Sequence, residues 1–187
     1  MTTMEQKVIT FVGMPGAGKS TLVDYLEQKG IPNVYFGGIT LDEIKKRGLE
    51  INAENEKIVR EDLRAQEGKG VYAKRIIAKI EALGEEGYKT VVADGLYSWT
   101  EYKIFKDHFG DNAVIIAIAA PRKLRHERLA KRPVRPLTEE EVTKREYAEI
   151  ENIEKGGPIA NADYTLINDK SPGELIENLE KILSDIS

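Results

Sequence analysis

Residues 13–20 read Gly13-Met14-Pro15-Gly16-Ala17-Gly18-Lys19-Ser20 and match the pattern G-x-x-x-x-G-K-[ST]. A β-branched, apolar stretch (7–12) precedes this pattern, and a helix-prone stretch (21–29) follows it. A strand, a glycine-rich loop and a helix in this order form the setting in which the pattern binds phosphate. The backbone N–H groups of such a loop, together with the helix N-terminus, hold a polyphosphate.

The loop supplies the first candidate site residues. Lys19 can reach the β- and γ-phosphates of a nucleotide, and the hydroxyl of Ser20 can bind Mg²⁺. The alternative is a plain glycine-rich turn, but we expect a chance match in fewer than about one chain in a hundred of this length. The predicted nucleotide-binding residues of the loop are Gly13, Pro15, Gly16, Ala17, Gly18, Lys19, Ser20 and Thr21.

Composition restricts the class of protein. The chain has 187 residues, 41% of them hydrophobic and 32% charged, which fits one globular domain with an ordinary core. The net charge of −4 gives no general attraction to nucleic acid or an anionic membrane, so we expect neither as a partner. The absence of cysteine excludes disulfides, thiolate metal sites and cysteine nucleophiles. Without a signal-peptide pattern or a long apolar run, we expect a cytoplasmic protein, and the oligomeric state stays open.

Five apolar segments are predicted as β-strands and alternate with amphipathic, helix-like stretches. Several of these segments are continuously apolar, which is typical of strands covered on both faces in a parallel sheet. The alternation predicts a doubly wound α/β fold with a five-stranded parallel sheet and right-handed crossovers. The predicted strands are Val8–Val12, Val34–Phe36, Thr90–Ala93, Val114–Ala119 and Tyr164–Ile167.

Four helix starts carry the capping-box pattern, a hydroxyl residue followed three positions later by glutamate. Pro172 follows the last of them at the first helical position, where its missing N–H donor is harmless. The predicted N-cap residues are Thr40, Ser98, Thr138 and Ser171.

Asp94 ends the third predicted strand, in Val91-Val92-Ala93-Asp94-Gly95. If this strand lies beside the strand before the glycine loop, the carboxylate of Asp94 lies near the bound metal and next to the acceptor. Asp94 would then act as a Walker-B acid on Mg²⁺, directly or through water. The alternative is an ordinary Asp-Gly turn at the end of a strand.

An arginine cluster follows the fourth predicted strand. Arg125, Arg128 and Arg132 have i, i+3, i+7 spacing and are predicted to share one helix face. Arg132 and Arg135 flank prolines, so this segment fits a hinged basic flap over a phosphate chain, with a solvated basic face as the alternative. The predicted catalytic cations are Lys19, Arg128, Arg132 and Arg135.

A second basic pair lies between the second and third predicted strands. Arg60 and Arg64 are four residues apart and can lie on one face of a helix. They are predicted to clamp the phosphate of an acceptor. The alternative is that they pair with the glutamates around them on the surface.

With these residues, the chain resembles the P-loop small-molecule kinases of the nucleoside-monophosphate-kinase group. From Ala117 to Leu183 it is similar to dephospho-CoA kinases: a strand ending in Ala-Ala-Pro, then Arg-x-x-Arg-Leu-x-x-Arg, an acidic helix, a last strand and a final helix. Residues 61–75 resemble adenylate-kinase-related proteins instead. The resemblance implies ATP and Mg²⁺ as cofactors and transfer of the γ-phosphoryl group to a small acceptor. It also implies that Lys170 lies near the adenine and that Arg128 stacks on the base.

The resemblance also implies a division of the chain into three parts. Such kinases carry an acceptor-binding insert and a lid at the two places where the strand–helix alternation is interrupted. The predicted core is 7–39, 89–121 and 158–187, the predicted acceptor-binding insert is about 40–88, and the predicted lid is about 122–157.

One departure from the family bears on the acceptor. Dephospho-CoA kinases have an acid just after the second strand that can take the proton of an acceptor hydroxyl, whereas residues 36–40 contain none. A phosphate acceptor is already ionised and needs no such base. This favours a nucleoside monophosphate or a similar phosphorylated acceptor. The alternatives are a dephospho-CoA kinase, a regulatory nucleotide switch, and an ATP-binding protein without catalysis.

Overall fold

A computed structural model describes residues 6–186 and builds them around a five-stranded, all-parallel sheet in the order β2-β3-β1-β4-β5. The predicted five-stranded parallel sheet is confirmed, and every predicted strand agrees with the observed one to within one residue at each end. The strands are β1 (Lys7–Val12), β2 (Asn33–Tyr35), β3 (Thr90–Asp94), β4 (Ala113–Ala119) and β5 (Tyr164–Ile167).

The helices connect these strands in chain order. Three of them lie between β2 and β3 and three between β4 and β5, at the two predicted interruptions; the division into core, insert and lid stays a prediction. The helices are α1 (Lys19–Gln28), α2 (Phe36–Lys46), α3 (Ala53–Glu67), α4 (Val71–Glu85), α5 (Trp99–Phe109), α6 (Arg122–Ala130), α7 (Glu139–Ile153), α8 (Gly156–Ala160) and α9 (Pro172–Asp185).

The two faces of the sheet carry separate apolar cores. Because successive side chains of a strand point to opposite faces, β1 contributes to both. Val8 and Val12 pack with α2, α4 and α5, whereas Ile9 and Phe11 pack with α1 and α9. Helices on both faces explain why the strands read as continuous apolar runs, and they confirm the doubly wound arrangement.

Three of the four predicted caps form. Ser98 and Thr138 each accept a hydrogen bond from the third helical N–H and complete a capping box with glutamate at the start of α5 and α7. Ser171 accepts a hydrogen bond from the Glu174 N–H, and Pro172 takes the first position of α9. These caps satisfy N–H groups that have no partner inside the helix.

The predicted cap at Thr40 is wrong. Helix α2 begins at Phe36, directly after β2, so Thr40 lies inside the helix. Its buried hydroxyl is 2.8 Å from the hydroxyl of Tyr72 on α4. A partner on a neighbouring helix satisfies this polar group, and the helix starts earlier because Phe36 and Ile39 are buried in the core.

The carboxyl edge of the sheet positions the candidate site. In the parallel register Phe11 of β1 faces Asp94 of β3, and Tyr35 of β2 faces Asp94 from the other side. The predicted neighbourhood of β1 and β3 is therefore confirmed. No helix within residues 6–186 is long and apolar enough to cross a membrane. The stretch 1–5, in which no signal-peptide pattern was found, lies outside the described residues.

Candidate phosphate-binding site

The glycine-rich loop joins β1 to α1 and requires glycine at two closely packed positions. Gly16 has φ +78°, and a Cβ atom there would lie 2.6 Å from the carbonyl oxygen of Arg125. Gly18 has φ +103°, and a Cβ atom there would lie 2.1 Å from Nδ2 of Asn168. Both the backbone conformation and the close neighbours therefore exclude a side chain.

Three consecutive carbonyl groups of the loop are held from one side. Arg125 donates from Nη1 to the Pro15 carbonyl at 3.3 Å, and Arg128 donates from Nη1 to the Gly16 carbonyl at 3.4 Å. Asn168 donates from Nδ2 to the Ala17 carbonyl at 2.7 Å.

The N–H groups of the loop are not all alike, since that of Ala17 donates to the carbonyl of Met14 at 3.1 Å. In a trans peptide the C=O and the following N–H point in opposite directions. The N–H groups of Gly16 and Gly18 follow the held carbonyls of Pro15 and Ala17 and therefore point away from the side chains of Arg125 and Asn168 that hold them. That these N–H groups hold a phosphate stays a prediction.

Lys19 begins α1 and folds back over the loop. Its Nζ donates to the carbonyl of Gly13 at 2.8 Å and to the carbonyl of Met14 at 3.4 Å. Burial above all, together with the charge of Lys155, lowers the pKa of Lys19 to about 7, and the charges of Glu149 and Asp94 oppose the shift. The ammonium group thus lies in a confined environment of mixed charge.

Asp94 ends β3 at the same edge of the sheet. Burial raises the pKa of its carboxyl above the ordinary value, and the charge of Lys19 acts in the opposite direction. Ser20 is exposed in the first turn of α1. The Asp94 carboxylate thus lies at the carboxyl edge of the sheet within electrostatic reach of the Lys19 ammonium, while the metal-binding role of Asp94 and Ser20 stays a prediction.

The arginines after β4 divide into two groups. Arg125 and Arg128 lie on α6 and hold the loop. The helix ends at Ala130, ahead of the Arg132-Pro133 pair, so the prediction that Arg132 shares their helix face is wrong. Arg132 and Arg135 are exposed, and within residues 6–186 neither forms an ion pair; their catalytic role stays a prediction.

Helix α7 contributes acidic residues that sequence reasoning missed. Glu146 pairs with Arg125 of α6, with only 5% of the Glu146 side chain and 11% of the Arg125 side chain exposed. Burial opposes ionisation of Glu146, but the hydrogen bond and charge of Arg125 hold its pKa below the ordinary value. The pair ties α7 to the arginine that holds Pro15.

A second ion pair from this segment lies beside Lys19. Lys155, between α7 and α8, pairs with Glu149, and its Nζ lies 4.8 Å from the ring centroid of Tyr97. Burial lowers the pKa of Lys155, and Glu149 opposes this shift. In the sequence, Lys155 is recognisable only as a lysine before two glycines, and this pattern does not identify the residues that it contacts.

The two residues of the predicted acceptor clamp have different surroundings, and the clamp stays a prediction. Arg60 lies 3.5 Å from Glu56 of its own helix, the surface pairing that was the alternative. Arg64 faces α4 instead, with its guanidinium carbon 5.2 Å from the ring centroid of Tyr72. Its charge also opposes the burial that raises the pKa of Glu101. Arg64 therefore points into the molecule, whereas Arg60 does not.

The loop after β5 carries the predicted adenine-side residue. Lys170 is exposed and lies 3.1 Å from Glu174. It lines a cavity of about 190 Å³ together with Ile167 and Leu175. Asn168, whose contact with the glycine loop was not predicted, links this loop to Ala17 and also accepts a hydrogen bond from Arg128 through its main-chain carbonyl at 3.1 Å. The contact of Lys170 with a base stays a prediction.

Comparison with known proteins agrees with this geometry. A family model described as an AAA domain matches residues 9–154. The UPF0200 protein of Thermococcus kodakarensis is 37% identical over 182 residues, which cover 96% of this chain and 97% of that protein. Shikimate kinase from Aquifex aeolicus aligns with a TM-score of 0.54 at 20% identity, over 95% of this chain and 96% of that one. Dephospho-CoA kinase from Campylobacter jejuni aligns with a TM-score of 0.55 at 17% identity, over 98% of both chains. The chain therefore has a P-loop kinase-like fold and belongs to the UPF0200 family and to the family of AAA domains whose model it matches.

Proposed function

We propose that the protein is a phosphotransferase that uses ATP and Mg²⁺ to transfer the γ-phosphoryl group to a small acceptor, a nucleoside monophosphate above all. The observation that carries this proposal is the position of Lys19, whose ammonium lies on the glycine loop within electrostatic reach of Asp94. Phosphoryl transfer needs positioning and charge neutralisation more than covalent chemistry, and this edge of the sheet offers both. The P-loop kinase-like fold supports the same activity.

Ser20 and Asp94 are the residues that would hold Mg²⁺. A hydroxyl and a carboxylate at one sheet edge are hard oxygen donors, which this ion prefers. Within residues 6–186 no cluster of three or more His, Asp or Glu side chains forms a metal cage, and Mg²⁺ shared with substrate phosphates needs none. When bound, the ion would neutralise charge on the β- and γ-phosphates.

The reaction exchanges one P–O bond for another. An acceptor oxygen forms a bond to the γ-phosphorus, the bond to the β–γ bridging oxygen breaks, and ADP leaves with that electron pair. Lys19 would neutralise the charge that develops on the leaving phosphate. Arg128 already lies against the loop at Gly16, while the exposed Arg132 and Arg135 would close over the phosphates.

The acceptor side favours a substrate that arrives ionised. The first turns of α2 occupy residues 36–40, which contain no acid, so no carboxylate there can take a proton from a hydroxyl. A phosphate acceptor needs no such base. Arg64, which points toward α4 and lies over Tyr72, is the better candidate to bind that phosphate, with Arg60 at the helix surface.

An assay coupled to ADP formation tests this proposal. Mg²⁺-ATP is supplied with each nucleoside monophosphate in turn and with dephospho-CoA. We expect ADP formation to rise with one monophosphate and to be lost in Lys19→Met. The matched control Lys144→Met changes a lysine that is 75% exposed and should retain activity.

The other outcomes separate the alternatives. A response to dephospho-CoA alone would select the dephospho-CoA kinase reaction. ADP formation that ignores every acceptor would contradict the proposal and indicate a regulatory nucleotide-binding protein.

A further inference from the structure

We propose that Lys155 binds the γ-phosphoryl group directly and stabilises it during transfer, with Glu149 as its positioning residue. The inference rests on the proposed function and adds a residue from outside the glycine loop. Its basis is the place of Lys155 in the fold, at the junction of α7 and α8 and against the segment that follows Asp94.

Lys155 is almost completely buried. Only 1% of the Lys155 side chain is exposed, which is rare for lysine because an ammonium group loses its hydration in the interior. Its contacts are the carboxylate of Glu149 and the face of the Tyr97 ring. A buried ion pair of this kind is weak evidence for stability, because desolvation offsets much of the attraction. A role that needs the charge explains its position better.

Lys155 lies close to the carboxyl edge of the sheet. Tyr97, whose ring lies under the Lys155 ammonium, comes three residues after Asp94. From the other side, Lys155 is close enough for its charge to lower the pKa of Lys19. Lys155 therefore lies against the segment that follows Asp94, at the sheet edge where a γ-phosphoryl group held by Lys19 would reach its acceptor.

Cations and carboxylates oppose one another around Lys19 and Lys155. The charge of Lys155 disfavours the protonated form of Lys19 and lowers its pKa, and the carboxylates of Glu149 and Asp94 offset part of that effect. A phosphoryl group between two cations would relieve the remainder, and it is the group that gains from them as its charge is redistributed in the transition state. Lys155 donates N–H groups to a non-bridging oxygen and stays protonated, so no proton is transferred.

The surroundings fix the ammonium in place. Glu149 accepts from Lys155 through one oxygen and from Arg145 Nε at 3.0 Å through the other, so its carboxylate cannot turn freely. Gly157 packs so closely on Trp99 that a Cβ atom would lie 2.7 Å from the indole ring. A charge held by packing and hydrogen bonds costs little reorganisation when the substrate binds.

The test separates the γ-phosphate from the rest of the nucleotide and needs no acceptor. Calorimetry measures the affinity for Mg²⁺-ADP and for Mg²⁺ with the β,γ-imido analogue of ATP, in the wild type and in Lys155→Met. We expect the variant to bind the analogue about tenfold more weakly or worse, the scale of one charged hydrogen bond, and to bind ADP within about twofold of the wild type.

Two further variants make the result decisive. Lys155→Met leaves Glu149 buried without its partner, so the double variant Lys155→Met/Glu149→Gln removes both charges and preserves folding. Lys144→Met, on the exposed face of α7, controls for the loss of one positive charge. An unchanged ratio of the two affinities in both Lys155 variants, or an equal loss for both nucleotides, would overturn the inference while the proposed function stands. A wild type that binds neither nucleotide would overturn both.

Discussion

The folded chain disfavours the protonated form of Lys19. Burial and the charge of Lys155 both favour its neutral form and bring its pKa to about 7. A polyphosphate reverses the balance, because negative charge nearby favours the protonated form. Binding of a nucleotide above neutral pH must therefore take up a proton.

This leads to a prediction at the residue scale. At pH 8, where Lys19 is largely neutral without ligand, binding of Mg²⁺-ADP takes up close to one proton, and at pH 6 the uptake is small. Calorimetry in buffers of different ionisation enthalpy measures this uptake. Lys19→Arg is the control, because a guanidinium stays charged throughout. Equal uptake at both pH values would contradict the prediction.

The glycines of the loop allow a second prediction. Gly16→Ala should destabilise the protein by more than about 1–2 kcal/mol, because a left-handed φ is combined with a close approach to the Arg125 carbonyl. Gly48→Ala is the matched control, with φ +67° and no atom within 4 Å of the added Cβ. Urea unfolding measures both, and nucleotide binding should be lost in Gly16→Ala alone. Equal free-energy losses would show that the close contact is irrelevant.

What the sequence predicted at this scale depends on the distance between partners along the chain. Lys19 and Ser20 lie inside a contiguous pattern, so their placement followed from it. Asn168 meets Ala17 across 151 residues, and no local pattern links the two. Lys155 meets Glu149 only six residues away, but its contact with Tyr97 depends on the packing of α8 near α5. Tertiary contacts of this kind determine the half of the site that sequence reasoning missed.

At the scale of elements, the pairing of α6 with α7 sets the position of the arginine that holds the loop. The carboxylate of Glu146 on α7 forms ion pairs with two arginines of α6, one with Arg125 and one with Arg122 at 3.2 Å. Arg125 in turn donates to Pro15. Movement of α7 is therefore coupled to the glycine loop through one buried side chain.

We predict that removal of one member of this pair is far more destabilising than removal of both. Glu146→Met leaves the Arg125 guanidinium buried without its carboxylate and should reduce the free energy of unfolding by about 3–5 kcal/mol. Arg125→Met/Glu146→Met should recover much of that loss. Denaturant titration of the full cycle gives the coupling energy.

The exposed pair between Lys144 and Glu140 of α7 is the control for this cycle. Both side chains are at least 75% exposed, so Glu140→Met should change the free energy of unfolding by less than about 0.5 kcal/mol. Additive effects of Arg125→Met and Glu146→Met would show that the two helices are not coupled through this contact.

Element boundaries show where sequence patterns mislead. Thr40 and Glu43 have the spacing of a capping box. However, buried Phe36 and Ile39 extend α2 toward β2 and place Thr40 within the helix. The spacing of Arg125 to Arg132 fits a helix, yet the helix ends before Pro133. In both cases the burial or restriction of a neighbouring residue overrides a short local pattern.

At the scale of the whole molecule, the strands could be predicted and their order could not. Continuous apolar runs locate strands within one residue, because both faces of the sheet are covered. Their order, β2-β3-β1-β4-β5, depends on crossovers that no local pattern specifies. That order brings Asp94 beside the glycine loop, while β5 on the other side brings Asn168 to it. The site therefore exists only in the assembled sheet.

Assembly leaves the ligand-free molecule with buried positive charge, so a nucleotide should stabilise the whole fold. At 100 times its Kd, Mg²⁺-ADP should add about 2.7 kcal/mol to the free energy of unfolding. For a chain of 187 residues this corresponds to a rise in Tm of about 5–10 °C. Thermal unfolding with increasing ligand measures it, and a Tm that ignores the ligand would contradict the proposed site.

The Tm of Lys19→Met tests whether Lys19 is responsible for this stabilisation by the nucleotide. At pH 6 the ligand-free variant should melt above the wild type, because it removes a buried ammonium whose folded pKa, about 7, is below its ordinary value of 10.5. The unfolded wild type holds that proton more tightly, so the wild type gains stability as pH rises from about 7 toward 10.5 and the gap closes. The variant should show no ligand-induced rise in Tm. A variant that melts below the wild type at pH 6, with the gap unchanged at pH 10, would show that Lys19 is held for stability and not for a ligand.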